Sequence, residues 1–326
     1  MDKIQYVVGT CYIVGSVFLY VGSTMFLNGM FLTVSDSPYF LTYVMEAFKM
    51  VYFAFHALPL NSNKYDKNKY PLKSLIGTAV FYSSLLFIAT YIFDLGINYT
   101  TPSSGLCINT SYTVFTCLFA VWILKEKMDK FKIAACFLAT IGIVVICLAD
   151  KQQTFRMVIG DILCFSSAIL YGYNAVKIKQ KIPDDDDYPY FMMLGFTGIS
   201  VTLIFWPGII ILNAIGYELF ITPTFKEIIL CILISIANSL IPDYFYLKAI
   251  ILLGPTLCTF IYLLIIPLSM VGDFWYEKVH FNIYFIIGNT AILLSIAILV
   301  IGTSRNSHDI AQKQKESLTT SEQSAS

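Results

Sequence analysis

The chain has 326 residues, of which 57% are hydrophobic and 13% are charged, and its formal net charge at pH 7 is zero. Soluble domains are about 45–50% apolar and about 25% charged, so this composition excludes a water-soluble fold. The zero net charge provides no basic surface for nucleic acid. The eight cysteines stand singly and the three histidines lie far apart. This spacing argues against a metal centre and gives no sign of a cofactor.

Ten apolar segments follow one another along the chain. A hydrocarbon core about 30 Å thick requires about 20 residues of helix to cross it. The predicted spans are residues 4–27, 39–60, 74–93, 105–124, 133–149, 157–176, 190–212, 228–247, 249–272 and 281–303. The sequence therefore predicts an all-α integral membrane protein with ten transmembrane helices.

Lysine and arginine in the loops predict the orientation of these helices, because both favour the cytosolic side. With the N-terminus in the cytosol, sixteen of these residues fall on the cytosolic side and four on the opposite side. Both termini are therefore expected in the cytosol. Residues 304–326 are polar and have no hydrophobic period, so they are expected to form a disordered cytosolic tail.

A constant offset of 151 positions relates the two halves of the sequence. The matched pairs include Gly9 with Gly160, Tyr20 with Tyr171, Ser84 with Ser235, Cys107 with Cys258 and Glu126 with Glu277. Chance matches are common among apolar helices, but a shared offset favours duplication. Because each half has an odd number of helices, the second half must enter the membrane from the opposite side. The sequence thus predicts two inverted five-helix repeats, residues 4–156 and 157–303.

Short motifs across residues 5–303 resemble the EamA-type fold of the drug/metabolite transporter superfamily. They include Thr101-Pro-Ser-Ser-Gly-Leu, Phe115-Thr-Cys-Leu-Phe and Leu124-Lys-Glu-Lys. Other motifs resemble the F branch of solute carrier family thirty-five and its yeast thiamine-repressible relatives. These are Tyr20-Val-Gly-Ser-Thr, Ser37-Pro-Tyr-Phe, Trp206-Pro-Gly and Glu277-Lys-Val-His-Phe.

This resemblance implies ten helices and the transport of organic solutes. Helices one to four and six to nine would surround a cavity, with five and ten at the periphery. Sister branches handle nucleotide sugars, and the resemblance favours the Golgi, the vacuole or another endomembrane. The chain departs from the branch at Met45, where the branch carries a lysine about one turn before Lys49.

Four charged residues fall inside the predicted spans: Glu46, Lys49, Asp161 and Asp243. A charge in hydrocarbon costs about 2.5–3.5 kcal/mol on insertion scales, so it normally faces protein or water and has a partner. Glu46 and Lys49 are three residues apart and can pair along one face of the second helix. His56 follows on nearly the same face. This stripe either lines a substrate cavity or contains a neutralised structural pair.

Asp243 follows a proline late in the eighth predicted helix. A proline frees a backbone carbonyl, and such breaks are tolerated where the backbone lines a cavity. We interpret Asp243 as a cation, proton or substrate site, and the alternative is a structural pair with Lys248. Asp161 and Asp94 are expected near the non-cytosolic surface.

The uncharged candidates are two tyrosines and two asparagines. Tyr20 and Tyr171 occupy repeat-related positions, where two rings can sandwich a planar substrate or pack in an aromatic belt. Asn109 and Asn238 require hydrogen-bond partners at membrane depth, from a substrate or from other helices. The full candidate substrate-binding set is Tyr20, Glu46, Lys49, His56, Asn109, Tyr171, Asn238 and Asp243.

Small residues recur at helical spacing in the two peripheral helices. The fifth has Ala135, Ala139 and Gly142, and the tenth has Ala291 and Ser295. Small residues at this spacing let helices approach closely. They form either a homodimer interface or a contact between the two halves.

The sequence contains no Gly-rich phosphate loop, H-E-x-x-H or G-x-S-x-G motif, so no enzyme or ATPase is predicted. The leading hypothesis is a secondary transporter that moves a nucleotide-sugar-, thiamine- or metabolite-like solute across an endomembrane by alternating access. Its partners would be that small molecule and the lipid bilayer. The alternative is a membrane sensor or scaffold that keeps the fold without transport.

Overall fold

A computed structural model of the protein describes residues 3–31, 37–57, 68–100, 102–147, 154–182, 188–218, 224–276, 283–284 and 286–303. Every regular element within these ranges is helical. Eight helices in the described ranges are long and apolar enough to cross a membrane. The prediction of an all-α integral membrane protein is therefore confirmed. The expected tail, residues 304–326, lies outside the described residues.

The helices, in chain order, are α1 (Lys3–Phe31), α2 (Pro38–Ala47), α3 (Tyr52–Ala57), α4 (Leu72–Ile97), α5 (Pro102–Asn109), α6 (Tyr112–Ile123), α7 (Lys130–Cys147), α8 (Phe155–Lys181), α9 (Tyr190–Ile215), α10 (Phe225–Ile234), α11 (Ile241–Leu253), α12 (Pro255–Tyr262), α13 (Ile265–Tyr276) and α14 (Ile286–Thr303). A 3-10 segment, Phe48–Val51, joins α2 to α3, and a π-helical segment, Ser235–Leu240, joins α10 to α11. Within the described residues, the second and ninth predicted spans are the two that contain none of the eight long apolar helices.

The fourth and ninth spans are interrupted at nearly repeat-related positions. The first break, at Thr110 and Ser111, separates α5 from α6, and the second, at Leu263 and Leu264, separates α12 from α13. At the first break the Thr110 hydroxyl donates to the Cys107 carbonyl at 2.6 Å. Side-chain hydroxyls of this kind satisfy backbone groups that an interrupted helix leaves free within a membrane.

Irregular helix also occurs in the second and eighth spans, and the two irregular segments pack against each other. The 3-10 segment Phe48–Val51 contains Lys49, and the π segment Ser235–Leu240 ends two residues before Pro242. A proline has no N–H to continue the α-helical ladder, which favours a local change of pitch beside it. In both segments, therefore, side chains and backbone carbonyls point in directions that they would not take in a regular α-helix.

The first helix of each half packs against the third span of the other half. Helix α1 lies along α11, and α8 lies along α4. The repeat-related glycines Gly9 and Gly160 permit these approaches. A Cβ at Gly9 would lie 2.7 Å from the Leu253 side chain, and one at Gly160 would lie 2.7 Å from the Gly96 carbonyl oxygen. The two halves are therefore interleaved through their first helices.

Helices α7 and α14 use their small residues to contact each other within the chain. A Cβ at Gly142 would lie 2.8 Å from the Gly288 carbonyl oxygen and 3.3 Å from the Ala291 side chain. Ala139 and Ser295 are fully buried. These small residues thus form a contact between the two halves of the chain rather than a homodimer interface. A homodimer through these small residues is not supported, because one chain already covers them.

Large apolar side chains cover the outside of the bundle. Exposed examples are Trp122, Phe137, Phe155, Leu203 and Ile211. In water such a surface would cost free energy in proportion to its area, whereas in hydrocarbon it does not. These side chains therefore fit contact with lipid tails.

Candidate functional site

A buried cluster of three charged side chains lies between the second and eighth spans. The Lys49 ammonium is 2.6 Å from Glu46 Oε2 and 2.5 Å from Asp243 Oδ2. The pairing of Glu46 with Lys49 is therefore confirmed. Asp243 is paired with Lys49, whereas the Lys248 ammonium lies 3.7 Å from the ring centroid of Tyr190.

The three members of this charged cluster differ in accessibility. The Lys49 side chain is 0% exposed and that of Glu46 is 7% exposed, whereas the Asp243 side chain is 24% exposed. The desolvation of a buried ion is offset only by close partners. Lys49 is thus held in place by the two carboxylates, and Asp243 is the member with surface left for another molecule.

The helices around the charged cluster are joined by hydrogen bonds to the backbone of the eighth span. The Tyr52 phenol donates to the Leu240 carbonyl, and the Ser16 hydroxyl donates to the Pro242 carbonyl at 3.0 Å. These two carbonyls lie at the junction between the π segment and α11. Side chains from α3 and α1 therefore stabilise the irregular backbone that positions Asp243.

Tyrosines from both halves pack against one another and form what we call the tyrosine cluster. Its members are Tyr112, Tyr171, Tyr246 and Tyr262. The centroids of neighbouring rings are 5.4 Å apart for Tyr246 and Tyr262, 6.5 Å for Tyr262 and Tyr112, and 6.2 Å for Tyr112 and Tyr171. These rings make a continuous aromatic wall drawn from α11, α12, α6 and α8.

Tyr20, Tyr171 and Tyr262 are half-buried. The Tyr171 hydroxyl lies 2.8 Å from the Thr90 hydroxyl, and this contact links α8 to α4. A role of the repeat-related Tyr20 and Tyr171 in substrate contact stays a prediction.

Asp94 lies in the last turn of α4, which continues to Ile97, past the predicted end of the third span at residue 93. The Thr42 hydroxyl donates to the Asp94 carboxylate at 2.7 Å, and this bond links α2 to α4. The expected position of Asp94 near the non-cytosolic surface stays a prediction.

Asn109 and Asn238 are both engaged between helices. The Ser167 hydroxyl donates to Asn109 Oδ1 at 3.1 Å, and the Ser23 hydroxyl donates to Asn238 Oδ1. These bonds account for the two asparagines as interhelical contacts, and a role in substrate contact stays a prediction. The helix α3 includes His56, whose side chain lies outside the described residues.

At one end of the bundle, Glu218 joins the end of α9 to α2 and α4. Its carboxylate accepts from the Tyr39 backbone N–H at 3.0 Å and from the Tyr91 hydroxyl at 3.3 Å. Burial raises the pKa of Glu218 above 4.5. The Tyr39 hydroxyl also donates to the Phe205 carbonyl at 2.8 Å. Elements of the two halves are thereby tied together at this end.

At the opposite end, Glu126 joins the fourth span to the ninth. Its Oε2 is 2.8 Å from the Lys132 ammonium and accepts from the Thr256 hydroxyl at 3.1 Å. Lys179, near the end of α8, donates to the Ile251 carbonyl at 2.5 Å. Contacts between the two halves therefore lie at both ends of the bundle.

Apolar helices around a buried polar centre are features of multi-pass membrane solute transporters. Residues 7–148 match the model of the EamA-like transporter family. A solved crystal structure has the same fold with a TM-score of 0.64 at 15% identity, and the match covers 94% of this chain and 99% of that one. This structural likeness concerns the fold alone.

The curated relatives include proteins of yeast and mammals. An uncharacterized vacuolar membrane protein of Saccharomyces cerevisiae is 24% identical over 72% of this chain. The thiamine-repressible mitochondrial transport protein of the same yeast is 27% identical over 69%, and solute carrier family 35 member F5 of Macaca fascicularis is 26% identical over 70%. The alignments cover 63%, 62% and 54% of these relatives' lengths. The resemblance to EamA-type drug/metabolite transporters, including their solute carrier and yeast relatives, is therefore confirmed.

Proposed function

We propose that this protein is a secondary transporter that moves a small organic solute across an endomembrane by alternating access. The observation that carries the proposal is the 2.5 Å ion pair between Lys49 and Asp243. This ion pair joins the second span to the eighth, and hence the first half to the second. A charge pair across two moving bodies breaks or re-forms when they rearrange.

The proposal includes two inverted repeats of five transmembrane helices, and two correspondences between the halves support them. The contact of α1 with α11 has its counterpart in the contact of α8 with α4, and the two interrupted spans correspond as well. Inverted repeats with interrupted helices near the midplane are typical of secondary transporters. In this proposal residues 4–156 and 157–303 exchange conformations around one shared site.

The two end contacts would alternate during transport. With both termini cytosolic, as the loop charges predict, the Glu218 end faces the compartment and the Glu126 end faces the cytosol. Opening one end requires its contacts between the halves to break while those at the other end hold. The endomembrane assignment is supported by the relative named a vacuolar membrane protein.

The test is uptake of a panel of radiolabelled solutes into liposomes that contain the purified full-length protein. We expect saturable uptake of at least one solute and its loss in Asp243→Asn. The matched control is Asp161→Asn, which removes a carboxylate bonded to Thr100 at 2.7 Å and should retain uptake. Size-exclusion chromatography and circular dichroism report whether each variant folds. Absence of saturable uptake for the whole panel would favour the sensor or scaffold alternative.

A further inference from the structure

Three sulfur atoms come together where α6 packs against α7. Cys117 lies on α6, Cys136 lies on α7, and Met128 lies on the segment between the two helices. The Cys117 thiol donates to Met128 Sδ across 3.9 Å, and the Cys136 thiol donates to Cys117 Sγ. We call this connected group the sulfur triad. Spacing along the chain does not reveal it, because the packing of the two helices brings the sulfurs together.

The chain folds back after α6 and so brings Met128 to Cys117. The Glu126 backbone N–H donates to the Ala120 carbonyl at 3.2 Å, which reverses the chain just beyond the helix. Lys125 at this reversal has a φ of 55°, a left-handed conformation that is uncommon for a residue with a Cβ. Backbone strain of this kind costs about 1–3 kcal/mol and occurs most often at functional positions. The thioether is therefore held beside the thiol by a strained turn.

The spacing of the sulfur triad fits one bound metal ion. Three sulfurs that form a triangle around a metal, each at the usual metal–thiolate distance of about 2.3 Å, lie about 4 Å apart. The 3.9 Å between Cys117 Sγ and Met128 Sδ matches this separation. The ion would take the place of the thiol protons that lie between the sulfurs, so it requires no separate cavity.

The ligand types select a soft metal ion. Within the described residues, no three histidine, cysteine or carboxylate side chains are grouped to hold a metal, so the third ligand here is a thioether. Zinc takes thiolate, imidazole and carboxylate ligands, whereas thiolate together with thioether favours Cu(I). The loop charges predict that the α6–α7 hairpin faces the cytosol, where thiols stay reduced. Reduced thiols are the form that binds Cu(I).

The sulfur triad is accessible on one side and has a cation beside it. Cys117 is 1% exposed, whereas Met128 is 39% exposed, so an ion reaches the triad past the thioether. Cu(I) with two thiolates carries one net negative charge, and the Lys132 ammonium lies within electrostatic range of both thiol sulfurs. Lys132 shares its charge with Glu126, its partner at 2.8 Å, which is also in range of Cys117.

We infer that Cys117, Cys136 and Met128 form a binding site for one Cu(I) ion at the end of the bundle where α6 meets α7. Binding would release the two thiol protons and join the ion to two thiolates and one thioether. The ion would hold α6 to α7, the helix that contacts α14 in the other half. This site does not depend on the proposed transport function.

Competition for Cu(I) against the chromophoric chelator bicinchoninate tests the site. The purified, reduced full-length protein would be titrated anaerobically with Cu(I), and the absorbance of the Cu(I)–bicinchoninate complex would report the copper that the protein does not hold. We expect the native protein to hold about one equivalent more than Cys117→Ser or Cys136→Ser does. The matched control Cys231→Ser, which removes a buried thiol on α10, should bind as the native protein does. Equal binding by the native protein and both triad variants would overturn the inference.

The thioether is tested by a variant that keeps the volume of its side chain. Met128→Leu is a volume-conserving change at an exposed position, so it should fold, and it should weaken Cu(I) binding at least about tenfold. X-ray absorption at the copper edge should show three sulfur neighbours at about 2.3 Å in the native protein and one fewer in Met128→Leu. Size-exclusion chromatography reports whether each variant folds. The same sulfur neighbours and the same affinity in both proteins would overturn the three-sulfur site.

A disulfide between the two thiols is the competing outcome. Alkylation of freshly isolated membranes, followed by mass spectrometry of tryptic peptides, distinguishes the two. We expect Cys117 and Cys136 to be recovered as alkylated thiols or, if copper is bound, as thiols that become alkylated once bicinchoninate is added. Recovery of the pair as a disulfide would overturn the inference, because an oxidised pair has no thiolate to bind Cu(I).

Discussion

Lys49 is solvated by protein rather than by water. Its side chain is fully buried, and two carboxylates lie within 2.6 Å of its ammonium. Removal of one partner from such a group leaves an uncompensated charge in a medium of low dielectric constant, which costs more than the ion pair itself contributes. The residue thus couples the stability of the fold to the charge state of the site.

The first prediction concerns this coupling. Lys49→Met should lower the free energy of unfolding by about 3–5 kcal/mol, because it leaves Glu46 and Asp243 facing each other without a cation. Adding Asp243→Asn should recover part of that loss. The measurement is a double-mutant cycle by thermal unfolding in detergent. Strictly additive losses would show that the two side chains are not coupled.

The control for this cycle is Lys132→Met. Lys132 pairs with Glu126 at 2.8 Å, but both side chains are partly exposed. A pair with this exposure is screened, so the expected loss is about 1 kcal/mol or less. If Lys132→Met lowered the free energy of unfolding as much as Lys49→Met does, burial would not be the reason why Lys49 matters for stability.

The sequence predicted part of this site because part of it is local. Glu46 and Lys49 lie three residues apart on one helix, and that spacing alone brings them together. No such spacing links Lys49 to Asp243, since their contact depends on how the second and eighth spans face each other. The third span ends at Ile97 rather than at residue 93, because apolar residues around Asp94 continue the helix.

The charged residues of the site lie on or directly after irregular segments of helix. Lys49 stands in a 3-10 segment, and Asp243 follows a π segment. Pro242 signalled the second irregularity, but Phe48–Val51 contains no proline or glycine to signal the first. Its geometry reflects tertiary packing against α9, where a Cβ at Gly198 would lie 2.1 Å from the Met50 nitrogen.

A second prediction concerns Glu218 at the end of α9. Burial raises its pKa above 4.5 in the folded protein, so the folded state holds this proton more tightly than the unfolded state. Stability from this group therefore grows as pH falls through the folded pKa and is lost as pH rises. Glu218→Gln carries no such proton. The difference in Tm, native minus variant, should increase on acidification, and a decrease would contradict the assigned direction.

A third prediction concerns the contact of α7 with α14. Gly142→Val should lower the free energy of unfolding by about 1–3 kcal/mol, because its side chain would collide with the Gly288 carbonyl. The control is Thr140→Ile, which adds bulk at an exposed position of the same helix and should have little effect. Mass photometry of both variants should show an unchanged mass. A change of mass for Gly142→Val alone would restore the homodimer hypothesis.

For the whole molecule, the sequence predicted helical content and span positions well. Apolar runs long enough to cross a bilayer are a strong signal, and eight such helices are present in the described residues. The interleaving of the halves was not predictable. Gly9 and Gly160 were noted as matched residues, but the helix that each would contact is determined by three-dimensional packing.

The fourth prediction tests alternation of access across the whole molecule. In a protein without its eight native cysteines, Tyr20→Cys and Tyr171→Cys should react with a water-soluble thiol reagent from one side of the membrane at a time. A transported solute should slow both reactions, because both halves border the shared site in this proposal. Ala139→Cys, buried between α7 and α14, should not respond. Simultaneous reaction from both sides would indicate an open pore.

The interleaved first helices also affect how the protein is made. Ser16 on α1 reaches its hydrogen-bond acceptor, the Pro242 carbonyl, across 226 residues of sequence. During synthesis α1 therefore enters the bilayer long before α11 exists to cover it. Its polar and small residues must face lipid, a chaperone or a temporary helix partner until α11 has been translated. Assembly of the bundle consequently waits for the second half, and a chain stalled after the first half would remain unfinished in the membrane.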